Sequence, residues 1–143
     1  MPSKLKELVG KGIATCPNNL ENMIQYEAYL GSEAYGCSEA GSSDWDMGGF
    51  AIGNKDSIFP YSSGYIYGFG ESPQGFETYT QHHMYDKSAN GGKGREYDYS
   101  IHNITKFFTL LMNNNPNSLD TLYAPLRCIT YITPIGQIVR DNK

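Results

Sequence analysis

Hydrophobic residues change their spacing near residue 101, and this change constrains the fold more than any other feature of the chain. Residues 95–101, REYDYSI, alternate apolar and polar side chains and predict a β-strand. The next apolar residues follow helical spacing instead: Ile101, Ile104, Phe107, Phe108, Leu111 and Met112. Asn115-Pro116 ends this helix, because the residue before a proline is pushed out of the helical conformation. The chain must therefore combine strands with helices.

Both patterns recur elsewhere in the chain. Leu5, Leu8 and Val9, which follow Ser3, predict a short first helix that ends at Gly10 or Gly12. Residues 23–30 alternate and predict a strand with one buried side. Its buried face would carry Ile24, Tyr26, Ala28 and Leu30, with Gln25, Glu27 and Tyr29 on the other face.

The remaining segments complete a mixed α/β pattern. DWDMGGFAI predicts a strand bulged at Gly48-Gly49, and residues 76–85 predict another strand. Residues 53–75 predict a long loop with a short strand near Tyr65–Phe69. A second helix is expected to begin near Asn117 or Ser118, and Thr133-Pro134 is typical of the start of a C-terminal helix.

Composition narrows the class of protein. The 143 residues are the size of one domain, and the net charge is −4, with 11 basic and 15 acidic residues. This charge argues against a protein that coats nucleic acid, but it allows a nucleotide or a single docked nucleic-acid end. The three cysteines lie far apart, and no Cys/His spacing typical of a zinc site occurs. Without a signal peptide or an apolar run of ~18–20 residues, we expect a soluble, cytoplasmic protein with no membrane partner.

Two aspartates follow a glycine-rich loop and open the strand that contains Trp45. Alternation places Asp44 and Asp46 on one face, with Cα atoms ~6.5–7 Å apart. Like charges this close favour a cation between them, and Mg²⁺ pairs carboxylates with substrate phosphates. Gly31 would let the backbone approach a phosphate, and Ser32 offers a hydroxyl donor. A D-x-D pair alone is common in solvated turns, so its conjunction with the strand and the Gly-Ser loop carries this hypothesis.

Histidines and basic residues leave further interpretations open. His82 and His83 are adjacent, so on a regular strand they point to opposite faces and do not chelate one metal; we expect a half-exposed pair. Lys87, Lys93 and Arg95 bracket a glycine-rich loop that either closes over a triphosphate or is simply solvated, and the second interpretation is favoured.

The segment GSEAYGCSEAGSSDWDMGGFAI resembles the signature of the DNA polymerase β-type nucleotidyltransferase superfamily, most closely the branch of bacterial and phage predicted nucleotidyltransferases. The resemblance implies that Gly31 and Ser32 contact the nucleotide phosphates and that Asp44 and Asp46 bind metal. EYDYSIHNITKFFTLLMNNNPNSLDTLYAP resembles the later part of the same pattern, which implies that Asp98 is the third carboxylate. Asp98 would complete the metal site or take the proton of an attacking hydroxyl.

Three features depart from that pattern. Glu33 stands where the family often has a basic residue, and the small-residue loop is about one residue longer than in the family pattern. The chain stops at GQIVRDNK, where relatives continue into a C-terminal helical region. We therefore expect residues 1–143 to form one nucleotidyltransferase-like domain without that region. Three alternatives stay open: a minimal version of the family, a fragment, or half of a site that a homo-oligomer or a partner completes.

The combined expectation is an α/β (α+β) fold, a small mixed β-sheet with helices on one face. The leading hypothesis is a Mg²⁺-dependent nucleotidyltransferase that uses two ions, with Mn²⁺ as an alternative, and that moves a nucleoside monophosphate from an NTP such as ATP to a hydroxyl acceptor. The acceptor is a small molecule, a protein or an RNA end. One alternative is a non-catalytic module that binds a nucleotide or a partner. Another is a structural protein whose acidic cluster binds a stabilising cation.

Overall fold

The computed structural model of the protein describes residues 1–32, 34–37, 44–64, 66–69 and 76–143. Glu33, the small-residue loop at 38–43 and Tyr65, to which expectations above refer, lie outside the described residues. The described helices and strands are α1 Lys4–Gly10, β1 Ile24–Leu30, β2 Asp44–Ala51, α2 Lys55–Ile58, β3 Thr78–Asp86, β4 Arg95–Asn103, α3 Ile104–Met112, α4 Pro116–Leu122, β5 Ile129–Ile132 and α5 Pro134–Asp141.

Side-chain caps explain where several helices begin. The Ser3 hydroxyl accepts a hydrogen bond from the Lys6 N–H and starts α1. Asn115 caps α4, and Thr133 caps α5, each with a proline at the next position. Helices α1, α3 and α5 thus lie where the sequence predicts them, whereas α2 and β5 were not predicted. Among the described residues, no helix is long and apolar enough to cross a membrane.

The strands form a five-stranded mixed sheet in the order β3-β4-β2-β1-β5. β2 and β4 are parallel, whereas β1 pairs antiparallel with both β2 and β5, and β3 pairs antiparallel with β4. This α+β arrangement agrees with the predicted fold class. The parallel pair lies inside the sheet, so the two strands that carry the predicted acidic residues are direct neighbours.

Helices cover both faces of the sheet. On one side, the α1 face, Leu5 and Leu8 pack with Met47, Tyr97 and Tyr99. On the other side, the α3 face, Phe107 of α3 and Leu122 of α4 pack with side chains of β1 and β2: Tyr26, Ala28 and Phe50. Helix α5 also packs against β1, so α3, α4 and α5 share one face as predicted, and α1 adds cover on the opposite face.

A bulge in β1 changes which face its first residue occupies. The register against β2 shifts between Ile24 and Tyr26. Ile24 consequently packs on the α1 face while Tyr26 packs on the α3 face, so the prediction that they share a face is wrong. The bulge predicted at Gly48-Gly49 is absent from β2, whose pairing with β4 is continuous through these residues.

Glu27 joins α1 to the sheet and is buried, although alternation predicted an uncovered face for it. Its carboxylate accepts hydrogen bonds from the Lys4 N–H at 2.8 Å and the Leu5 N–H at 2.9 Å. The Tyr99 hydroxyl donates to it at 3.1 Å. These hydrogen bonds satisfy both the buried carboxylate and free backbone N–H groups in the first turn of α1, so no buried polar group is left unpaired there.

Candidate functional site

A cavity of about 530 Å³ lies between the sheet and helices α3 and α4. Its sheet side includes Asp46 of β2 and Asp98 of β4, and its helical side includes Lys106, Asn117 and Asp120. A volume in this range accommodates a small-molecule ligand, and the lining combines apolar surface with a few charged groups, as ligand sites commonly do.

The parallel pairing of β2 and β4 brings the predicted carboxylates together. Asp46 is the direct register partner of Asp98, and Asp44 is the partner of Glu96. Neighbouring strands lie about 4.8 Å apart, and residues two apart on one strand share a face. Since Met47, Tyr97 and Tyr99 pack on the α1 face, the acidic residues between them face the opposite side, toward the cavity. Three of these four acidic residues were predicted; Glu96 was missed.

The electrostatics of Asp46 reflect this crowding. Partial burial raises the pKa of Asp46 above its usual value, and the negative charges of Asp98 and then Asp44 raise it further. Only His82 acts in the opposite direction. Placing a negative charge at Asp46 is therefore unfavourable, and a bound cation would relieve this.

Gly31 contacts the carboxylate of Asp46. The glycine adopts a φ of +71°, and a Cβ atom added at this position would lie 2.9 Å from Asp46 Oδ2. Glycine suits this position for two reasons: the backbone has a positive φ, and a side chain would press against the Asp46 carboxylate. Gly31 also lines the cavity. The structure brings Gly31 together with Asp46, whereas Ser32 is exposed beside the cavity and does not line it.

A bulge in β3 brings both adjacent histidines to the acidic residues. The register of β3 against β4 shifts between Gln81 and Met84, and His83 adopts a φ of +57°. The His83 N–H donates to Asp98 Oδ1 at 2.7 Å, and His82 Nδ1 lies 3.7 Å from the same oxygen. The His83 ring pairs with Glu96. The prediction that the two histidines diverge is wrong, because strict alternation fails at a bulge.

A cation on α3, Lys106, and an imidazole on β4, His102, also line the cavity. Lys106 Nζ lies 2.6 Å from Glu77 Oε1. His102 Nδ1 lies 3.0 Å from the Thr78 hydroxyl. Burial lowers the pKa of His102, and the Lys106 charge lowers it further, so this ring is neutral at physiological pH.

The basic residue at the end of the glycine-rich loop belongs to the opposite face. The Arg95 guanidinium lies 3.6 Å from the centre of the Trp45 ring, and Trp45 packs on the α1 face. This stacking holds the Arg95 charge on the side of the sheet away from the cavity. Lys87 and Lys93, by contrast, are exposed.

The donor set suits a hard divalent cation. Asp44, Asp46 and Asp98 provide carboxylate oxygens on one face of two adjacent strands, and Mg²⁺ prefers oxygen ligands. Burial and the negative charges of Asp98 and Asp44 raise the pKa of Asp46, and a bound cation would oppose both effects. The residues therefore fit the metal that the sequence pattern implies, and the cavity beside them has room for a nucleotide.

An acidic pair on neighbouring strands, beside a glycine turn and a ligand-sized cavity, is the arrangement that the resemblance to polymerase β-like nucleotidyltransferases implies. Comparison with known families makes the assignment specific: the chain belongs to the RNA repair pathway DNA polymerase beta family, RlaP, whose family pattern matches residues 5–142. The match supports the resemblance at the level of the superfamily and does not single out the bacterial and phage branch. No curated protein and no solved structure matches the chain significantly.

Proposed function

We propose that the protein is a metal-dependent nucleotidyltransferase that moves a nucleoside monophosphate from an NTP to a hydroxyl group at an RNA end. The observation that carries this proposal is the direct pairing of Asp46 with Asp98 at the side of the cavity. The family description supplies the link to RNA repair. A net charge of −4 is compatible with one docked RNA end, which needs fewer phosphate contacts than a coated strand.

Each predicted site residue has a role in this reaction. The acceptor oxygen attacks the α-phosphorus of the NTP, the bond to the bridging oxygen breaks, and pyrophosphate leaves. Asp44 and Asp46 would hold Mg²⁺, which neutralises phosphate charge when bound. Asp98 would be a third ligand or would receive the proton of the attacking hydroxyl. Gly31 and Ser32 would seat the β- and γ-phosphates.

Lys106 extends the list of residues that would contact the triphosphate. It lines the cavity and is the cation described on its helical side. Glu77, its partner, is 70% exposed in its side chain. An exposed ion pair of this kind contributes little free energy in water, so a triphosphate could compete with Glu77 for the Lys106 ammonium group. This assignment is part of the proposal and was not made from the sequence.

Thermal unfolding with Mg²⁺ and each NTP tests the nucleotide site. We expect a rise in Tm that requires both metal and triphosphate, because the ligand binds only the folded state. The rise should be lost in Asp44→Ala and kept in Asp56→Ala, which removes an exposed carboxylate on α2. If neither Mg²⁺ nor any NTP shifts the Tm of the unmodified protein, the nucleotide hypothesis fails.

The acceptor is tested separately with labelled oligoribonucleotides. We expect pyrophosphate release and a gain of one nucleotide on an RNA with a terminal 2′,3′-diol. A matched 5′-phosphorylated RNA that ends in a dideoxynucleotide should be inert, because it lacks the attacking hydroxyls. NTP binding without pyrophosphate release on any acceptor would favour the alternative of a non-catalytic binding module.

A further inference from the structure

We propose that His83, Glu96 and Asp98 form a second cation site that selects a transition-metal ion such as Zn²⁺ or Co²⁺ over Mg²⁺. One potential ligand atom from each residue lies within 4.8 Å of the other two. The site is at the edge of the sheet where β3 pairs with β4, and it uses two of the four acidic residues described above, Glu96 and Asp98.

The β3 bulge builds this site. A regular strand would turn His82 and His83 to opposite faces, whereas the shifted register brings the His83 ring to Glu96 and its N–H to Asp98. Ligand atoms on one zinc ion lie roughly 3.3 Å apart, given bond lengths near 2.0 Å in a tetrahedron. The donor atoms, none more than 4.8 Å apart, therefore need to close by at most about 1.5 Å. The His83 side chain is 83% exposed, so packing does not restrict its ring, and the group it pairs with, Glu96, is itself a proposed ligand.

Ligand chemistry determines which ion is expected. Two carboxylates and one imidazole, which must give up its second proton to bind a metal, provide a charge of −2 that complements a divalent cation. Imidazole suits zinc and cobalt, whereas Mg²⁺ prefers oxygen ligands and retains its waters. Asp44 and Asp46 offer only oxygen. The two neighbouring sites are therefore expected to differ in preference, although Asp98 belongs to both.

The proposal is independent of nucleotidyl transfer, because metal binding can be measured without nucleotide. We would titrate the full chain with Co²⁺, followed by its visible absorption, and with Zn²⁺ by calorimetry. A Cys37→Ser background removes the exposed thiol, which could bind these ions by itself. The test variant is His83→Asn, because asparagine tolerates a positive φ and the N–H to Asp98 is retained. The matched control is His82→Asn, which removes the adjacent imidazole.

We expect the Kd for Co²⁺ and Zn²⁺ to rise at least about tenfold in His83→Asn, because even the loss of an outer-shell partner lowers metal affinity 10–100-fold. Binding by His82→Asn should stay within about threefold of the unmodified chain. Glu96→Gln provides a second test if His83→Asn fails to fold. The proposal is overturned if the two histidine variants bind alike, or if equimolar Mg²⁺ displaces Co²⁺. The Tm rise with Mg²⁺ and NTP, measured on the same variants, reports on the proposed function separately.

Discussion

Gly31 combines two constraints at one position of the candidate site, a left-handed backbone and a close approach to Asp46. The glycine has a left-handed backbone, and a Cβ atom added to it would approach Asp46 Oδ2 to 2.9 Å. Any side chain here must displace a carboxylate whose pKa is already raised by burial and by neighbouring charge. The glycine therefore serves the geometry of the carboxylate as well as the turn.

Replacing Gly31 by alanine tests this contact. We expect Gly31→Ala to lower stability by about 1 kcal/mol, because L-residues disfavour this φ, and also to weaken the Tm rise with Mg²⁺ and NTP. Gly36→Ala is the matched control: Gly36 has a φ of +70°, and nothing lies within 4 Å of the place a Cβ atom would take. Urea unfolding and ligand titration measure both effects. Equal losses of ligand response in the two variants would show that the contact with Asp46 is irrelevant.

Helix α1 and strand β3 are joined at their C-terminal ends by an ion pair. Lys11 Nζ lies 2.7 Å from Asp86 Oδ2, and the Ser88 hydroxyl also donates to this carboxylate. Hydrogen bonding by Lys11 and then Ser88 lowers the pKa of Asp86 from its ordinary value of 3.8 to about 2. The carboxylate is buried, whereas the ammonium is 37% exposed. This pair fixes the end of α1 against the sheet.

This lowered pKa predicts a pH dependence of stability. A group whose pKa falls on folding stabilises the protein above its unfolded pKa, and the contribution disappears as pH falls from about 4 through 2. We expect Asp86→Asn to lower the free energy of unfolding by about 1 kcal/mol at pH 7, a discounted figure because Lys11 is partly exposed. Urea unfolding should show a difference between variant and parent that shrinks as pH falls from about 4 to 2. A constant difference across this range would assign the effect to packing.

At the scale of the whole molecule, the candidate site opposes stability. The sheet brings Asp46 beside Asp98 from a segment about fifty residues away in the chain, and His82 offsets only part of the resulting repulsion at Asp46. Proteins commonly accept such unfavourable groups where function requires them. Removal of the charge should therefore stabilise the fold and impair the site at the same time.

Asp46→Asn measures this trade-off. In EDTA at pH 7, we expect its Tm to rise by about 1–3 °C, because an ionised carboxylate with a raised folded pKa destabilises the native state. The gain should disappear as pH falls through the carboxylate range, where Asp46 is protonated in any case. The Tm rise with Mg²⁺ and NTP should be lost. Asp56→Asn is the control and should change neither quantity; a lower Tm for Asp46→Asn in EDTA would contradict the argument.

The sequence by itself determined the features that depend on local interactions. Ser3 and Thr133-Pro134 marked the starts of α1 and α5, because each hydroxyl accepts a bond from the backbone three residues on. Helix α4 begins at Pro116, one residue before the earliest predicted start. Alternation along one strand was enough to place Asp44 and Asp46 on the same face. The glycine turn before them was likewise readable, because a positive φ favours glycine wherever it occurs.

Only the tertiary structure decided which strands are neighbours and where their regularity fails. The parallel pairing that puts Asp98 beside Asp46 joins residues distant in the chain, and no local pattern specifies it. The bulges in β1 and β3 moved Ile24 and His83 to faces that alternation assigned wrongly, because a single inserted residue reverses every side chain beyond it. Glu27 became buried because α1 covers its face. These outcomes depend on packing between distant segments, which periodicity along one segment does not encode.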